Sequence, residues 1–140
     1  MDIEIKTIPL RQRAMMTNQP VKETISNRSH VVNDYWELCR PFTLLAPGIG
    51  FVSFALAGWS GLENVPLLSV LPGILAGAFS AALLNAASNI INQYFDLEID
   101  RINKPTRPLP SGRISILNAL LFCGLLYLLS FLAACWVGWQ

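Results

Sequence analysis

Six polar residues recur at steps of three and four through an otherwise apolar stretch: Asn85, Ser88, Asn89, Asn92, Asp96 and Asp100. In a helix those steps bring them onto one slowly drifting face. Asn92, Asp96 and Asp100 read N-x-x-x-D-x-x-x-D, each step of four rising about 6 Å along that face. An ionised aspartate near mid-bilayer costs on the order of 2.5–3.5 kcal/mol on insertion scales, so such a stripe persists only where it meets something polar. Solvated carboxylates at a helix end would account for Asp96 and Asp100. They would not account for the amides and the serine deeper on the same face, which call for a polar cavity. Carboxylates four residues apart suit a hard cation: Mg²⁺ takes one or two of them and fills its octahedron with water and phosphate oxygens.

The run RINKPTRPLPSGR follows directly over residues 101–113. Pro105, Pro108 and Pro110 forbid a continuous helix, which predicts a constrained capping loop. Four cations next to a pair of carboxylates become intelligible once a polyanion lies between them. Carboxylates hold Mg²⁺, Mg²⁺ holds phosphate, and Lys104 and Arg107 neutralise the remaining phosphate charge. Arg113, nearest the next apolar stretch, is explained equally well by membrane topology. Cys39, Cys123 and Cys135 have no C-x-x-C spacing and read as small hydrophobes, and His30 stands alone, so nothing suggests a zinc-type site.

The elements that must position this stripe follow from the distribution of charge. Apolar residues make up 53% of the 140 and charged residues only 14%, and every Lys and Arg lies within 1–40 or 101–113. With a net charge of +1, no nucleic-acid partner is expected. Residues 1–30 read as a polar cytosolic tail. Over 31–40, Val32, Tyr35, Trp36 and Cys39 fall at i, i+3, i+4 and i+7, which predicts a short interfacial helix. Three charge-free stretches at about 41–59, 67–95 and 116–139 are each long enough to cross the roughly 30 Å of hydrocarbon. The class is therefore all-α, an integral membrane helical bundle embedded in lipid. Six Lys and Arg precede the first stretch, four follow the second, and the link between first and second has only Glu63. By the positive-inside rule the N-terminus and the 101–113 loop face the cytosol. Trp59, Trp136 and Trp139 would then form the opposite aromatic belt. Gly73, Gly77 and Ala81, spaced by four, predict close approach of a neighbouring helix.

The segment NQYFDLEIDRINKPTRPLPSGR, residues 92–113, strongly resembles the first aspartate-rich motif of the UbiA-type intramembrane prenyltransferases. Within that superfamily DRINKPTRPLPSG is most similar to the geranylgeranylglyceryl-phosphate and chlorophyll-type branch, and Arg40-Pro41 resembles the R-P found before the first span of many members. The resemblance implies a bundle of about nine spans, three of them here, around a cavity open to the cytosol. It implies Mg²⁺-dependent transfer of a prenyl group from a prenyl diphosphate to a lipophilic or aromatic acceptor. Carried over residue by residue, Asn92, Asp96 and Asp100 would hold the Mg–diphosphate as catalytic and metal-binding residues. Lys104, Arg107, Arg101, Arg40 and Asn89 would bind the diphosphate. Gln93 departs from the family, which has Asp at that place in many members. The family also carries a second D-x-x-x-D in a later helical pair, and this chain reaches Gln140 after its third span without one. Three assignments fit that length: the front part of a longer enzyme, a truncated non-catalytic membrane stub, or an assembly partner that pairs with a separately encoded second half or an oligomeric copy. The D-G-x-x-A-R opening of the CDP-alcohol phosphotransferases is absent, and the membrane spans exclude the soluble prenyl synthases.

Overall fold

The computed structural model describes residues 30–139. The polar tail expected over 1–30 lies, up to residue 29, outside the described residues. Five helices follow one another: α1 over 30–39, α2 Pro41–Ser60, α3 Leu67–Phe95, α4 Leu97–Asn103 and α5 Ile116–Trp139. Among the described residues there is no strand, so the architecture is all-α. Helices α2, α3 and α5 are each long and apolar enough to cross a membrane. At 1.5 Å per residue they measure about 30, 44 and 36 Å, so α3 alone clearly outruns a hydrocarbon core of roughly 30 Å. The first turns of α3 are apolar, so its excess falls at the end that carries the amides and carboxylates.

Helix α3 occupies the centre, with α2 on one side and α5 on the other. Both neighbours run antiparallel to it. On the α5 side, Ser80 pairs with Ser130, each hydroxyl donating to the other's backbone carbonyl at 2.9 Å. Seven residues along α3 and seven back along α5, the Cys123 thiol donates to the Ala87 carbonyl at 3.4 Å. On the α2 side, Gly77 accepts the Phe51 ring at a place where any Cβ would overlap it, while Gly73 has open space around it. The expected small-residue stripe is thus used at one of its two glycines. The link between α2 and α3 is pinned by Trp59, whose indole N–H donates to the Val65 carbonyl at 2.9 Å.

The buried core lies at the end of the bundle that carries the loop. Leu38 of α1, Ala87 and Ile90 of α3, Leu109 and Ile114 of the loop, and Ala119 and Cys123 of α5 form one cluster. Tyr35 joins it edge-on against Phe122, ring centres 4.9 Å apart. The inward face of α1 combines Tyr35 and Cys39 of the apolar stripe with Leu38. Leu38, outside the expected stripe, is fully buried, whereas Trp36 within it stays 59% exposed. Asp34 and Leu38, one turn apart, face the loop and α3, and the amphipathic indole of Trp36 takes the outer side.

The loop over 104–115 is held by its own backbone. Ser111 N–H donates to the Arg107 carbonyl, Gly112 N–H to Leu109 and Ile114 N–H to Pro108, at 3.0–3.1 Å. Gly112 has φ 77, a conformation that costs a residue without Cβ little. Pro108 is buried at the base of the loop.

Candidate functional site

Helix α3 ends at Phe95, Asp96 occupies the turn, and α4 resumes at Leu97. Backbone bonds from Asp96 to Asn92, Asp100 to Asp96 and Lys104 to Asp100, at 2.8–2.9 Å, carry the i, i+4 pattern through the break. Asn92, Asp96 and Asp100 therefore keep helical spacing although two helices supply them.

The single polar face expected from the sequence is two rows. Asn85, Asn89 and Gln93 form the first, and all three donate side-chain N–H groups to the junction of α1 and α2. Asn85 bonds the Thr43 carbonyl at 2.8 Å. Asn89 bonds the Cys39 carbonyl at 3.0 Å and Thr43 Oγ1 at 2.7 Å. Gln93, 2% exposed, bonds the Leu38 carbonyl at 2.7 Å and the Asn89 carbonyl at 3.1 Å. Ser88, Asn92, Asp96 and Asp100 form the second row. Within it Asn92 and Asp96 are exposed, so their oxygens are open to a ligand. Asn89, expected among the diphosphate-binding residues, is buried and committed to the α1–α2 junction. Helical steps of three and four cannot separate two rows that lie one residue apart, and that is why the sequence merges them.

Asp100 is almost fully buried, and cations meet both of its oxygens. Arg107 Nη1 lies 2.6 Å from Oδ2 and Lys104 Nζ 3.7 Å from Oδ1. Arg40 joins this group from the α1–α2 junction. Burial pulls its guanidinium below the ordinary arginine range and the positive charge of Arg107 adds to that, while Asp100 and Asp96 oppose it. Arg40 and Arg107 share a cavity of about 440 Å³, lined also by Glu37, Phe42, Thr43, Gln93 and Pro108. Arg101 is not brought to this group, since it turns outward to pair with Glu98 at 3.0 Å, both side chains more than half exposed.

Arg113 belongs to the scaffold. It pairs with Asp34, with Glu37 at 2.8 Å, and donates to the Thr106 carbonyl at 2.6 Å. These bonds raise its pKa above the usual arginine value, the Glu37 hydrogen bond contributing most. The loop is thereby tied to α1, and a bidentate guanidinium suits two carboxylates one turn apart. Asp34, Glu37 and Gln93 are the residues that sequence pattern missed. The N-D and E-L-C spacing of α1 carries a signal for the two acids, on one side of a short helix facing a basic loop.

The second row also tests whether a magnesium ion would be accommodated. Asn92, Asp96 and Asp100 offer only oxygen donors, of which Asp96 is the open carboxylate and Asp100 is already neutralised. Among the described residues no three His, Cys, Asp or Glu side chains gather tightly enough to hold a metal by themselves. Such a set does not fit zinc, and it does fit Mg²⁺, which keeps several positions for water and phosphate oxygens.

Comparison with known proteins identifies the family. Residues 44–140 match the UbiA prenyltransferase family. Digeranylgeranylglyceryl phosphate synthase of Methanobrevibacter smithii is 38% identical over 110 residues, covering 76% of this chain and 36% of that protein. The enzyme of the same name from Methanosphaera stadtmanae is 34% identical over 99 residues, covering 71% and 33%. The chloroplastic 2-acylphloroglucinol 4-prenyltransferase of Humulus lupulus is 38% identical over 122 residues, covering 80% and 28%. The chain spans about a third of the length of these curated relatives. No solved structure matches it at comparable significance. An all-helical membrane protein whose match extends over more than half its length, through the carboxylate row and the proline-rich loop alike, is thereby placed: the chain belongs to the UbiA prenyltransferase family.

Proposed function

We propose that this chain supplies the Mg–diphosphate site at which a prenyl diphosphate is ionised for transfer to a lipophilic or aromatic acceptor. One observation carries the proposal: an open carboxylate and amide row, Asn92 and Asp96, adjoins a group in which Asp100 presents Lys104 and Arg107 beside Arg40. In the transfer the allylic C–O bond breaks and its electron pair leaves with the diphosphate. The acceptor nucleophile then bonds the allylic carbon and gives up its proton. A bound Mg²⁺, held by Asn92 and Asp96 beside the Asp100 group, would contribute charge stabilisation to the departing phosphate oxygens. Lys104 and Arg107, on a loop braced by its own hydrogen bonds, and Arg40, at the α1–α2 junction, neutralise the remainder, so that little reorganisation accompanies the charge change. The names of the relatives cover both a glyceryl phosphate lipid and an acylphloroglucinol, which supports a lipophilic or aromatic acceptor without choosing between them. We place the loop and the N-terminal side on the cytosolic face, because the basic residues gather there and the α2–α3 link carries only Glu63.

The test is retention of a non-hydrolysable prenyl thiodiphosphate by the detergent-solubilised chain, with and without Mg²⁺. Wild type should retain it only with the metal, and Asp96→Asn should lose that dependence. Equal Mg²⁺-dependent retention by the variant would overturn the metal assignment.

A further inference from the structure

We propose that Gln93 and Asn89 are positioning residues for Arg40: their side-chain amides grip the junction of α1 and α2 and so fix the Arg40 guanidinium beside Asp100 and Arg107. The proposal rests on the diphosphate site described above and adds residues outside it. Arg40 has φ 54 and ψ 68, left-handed backbone that a residue with a side chain rarely adopts. Pro41 follows, and a residue before proline is disfavoured in the right-handed helical region, so the chain must bend here.

The bend strands two carbonyls. In an uninterrupted helix the Leu38 and Cys39 carbonyls would receive the N–H groups of residues 42 and 43. Here the Thr43 N–H donates instead to the Arg40 carbonyl at 2.9 Å, and the Thr43 hydroxyl reinforces that bond at 2.8 Å. Gln93 takes over the Leu38 carbonyl and Asn89 the Cys39 carbonyl, so both stranded acceptors on the N-terminal side of Arg40 are met by amides from α3. The Thr43 hydroxyl also accepts from Asn89, which closes a ring of bonds around the left-handed residue. An amide can do this at position 93 where a carboxylate cannot. A carboxylate has no N–H to give and would set its oxygens against carbonyl oxygens. Gln93 meets this requirement by donating twice from a site almost sealed from solvent.

Two measurements test this. The first needs no ligand and uses Cys39, which is buried beside the junction and whose thiol burial pushes up. In a chain carrying Cys123→Ala and Cys135→Ala, maleimide should label Cys39 at least tenfold faster after Gln93→Leu. Gln93→Glu, which keeps the volume but puts a carboxylate where the amide donates, should behave the same way. The second is retention of the prenyl thiodiphosphate with Mg²⁺. Gln93→Leu and Arg40→Gln should each weaken it about tenfold, and the two together no more than either alone, because Gln93 acts through Arg40. Unchanged Cys39 labelling in both Gln93 variants overturns the proposal. So does a combined variant whose losses multiply, since Gln93 would then act apart from Arg40. A wild-type chain that retains no analogue strikes the function proposed above, and the labelling contrast alone then decides whether the amides hold the junction.

Discussion

Replacing Arg107 by Met should loosen the loop by about 2 kcal/mol, and a second substitution at Asp100 should restore most of it. The Asp100 carboxylate is 5% exposed and Arg107 24% exposed, with 2.6 Å between them. Hydrogen bonds to charged groups contribute roughly 1.5–3 kcal/mol, and a guanidinium still partly in solvent belongs in the lower half of that range. Lys104 cannot compensate, because it is half exposed and 3.7 Å away. Arg107→Met therefore leaves a buried carboxylate short of a partner. The assay is amide hydrogen exchange at Ser111 and Ile114, whose N–H groups bond the Arg107 and Pro108 carbonyls within the loop. Where reclosing outpaces exchange, 2 kcal/mol corresponds to about thirtyfold faster exchange at both amides. Adding Asp100→Asn removes the stranded charge, so the double variant should return to within about fivefold of wild type. A double variant that exchanges as fast as Arg107→Met, or faster, refutes the premise that Asp100 is the charge the loop is built to satisfy.

Two packing predictions concern the membrane-spanning part. Gly77→Ala puts a methyl group into the Phe51 ring and should cost about 1–3 kcal/mol in detergent unfolding, whereas Gly73→Ala meets open space and should stay within about 0.5 kcal/mol of wild type. Ser80→Ala and Ser130→Ala should show a double-mutant coupling of about 0.6–1.7 kcal/mol, and zero coupling would mean that each hydroxyl serves its own helix.

The three membrane helices are legible in the sequence because the bilayer imposes a simple rule, length without charge, that needs no knowledge of partners. The proline-rich loop is legible for a similarly local reason, since three prolines in six residues leave the backbone no helical option. The polar stripe is legible only as composition. That Asn89 faces the α1–α2 junction while Asn92 faces outward depends on carbonyls some fifty residues away, stranded by a left-handed arginine that no periodicity reveals. Gln93 illustrates the same limit. As a departure from a motif it looks like a loss, and its two donated bonds become visible only once α1 lies alongside α3. Arg113 suits topology and function equally by position alone, and its pairing with Asp34 and Glu37 depends on α1 folding back over the loop. In α1 apolar spacing picks out Tyr35 and Cys39, which pack against the core, and also Trp36, whereas packing adds Leu38.

The hydrogen bonds of α3 also carry an order in time. Ribosomal synthesis proceeds from the N-terminus, so when Asn85, Asn89 and Gln93 emerge, the carbonyls they bind at Leu38, Cys39 and Thr43 already exist. Ser80 is in the opposite position, because its partner in α5 lies fifty residues downstream. Until α5 arrives, its hydroxyl can only turn back onto a carbonyl of its own helix, the usual refuge of a serine in lipid. The first two spans can therefore leave the insertion machinery as a satisfied hairpin, and the Ser80–Ser130 exchange becomes the latch that admits the third.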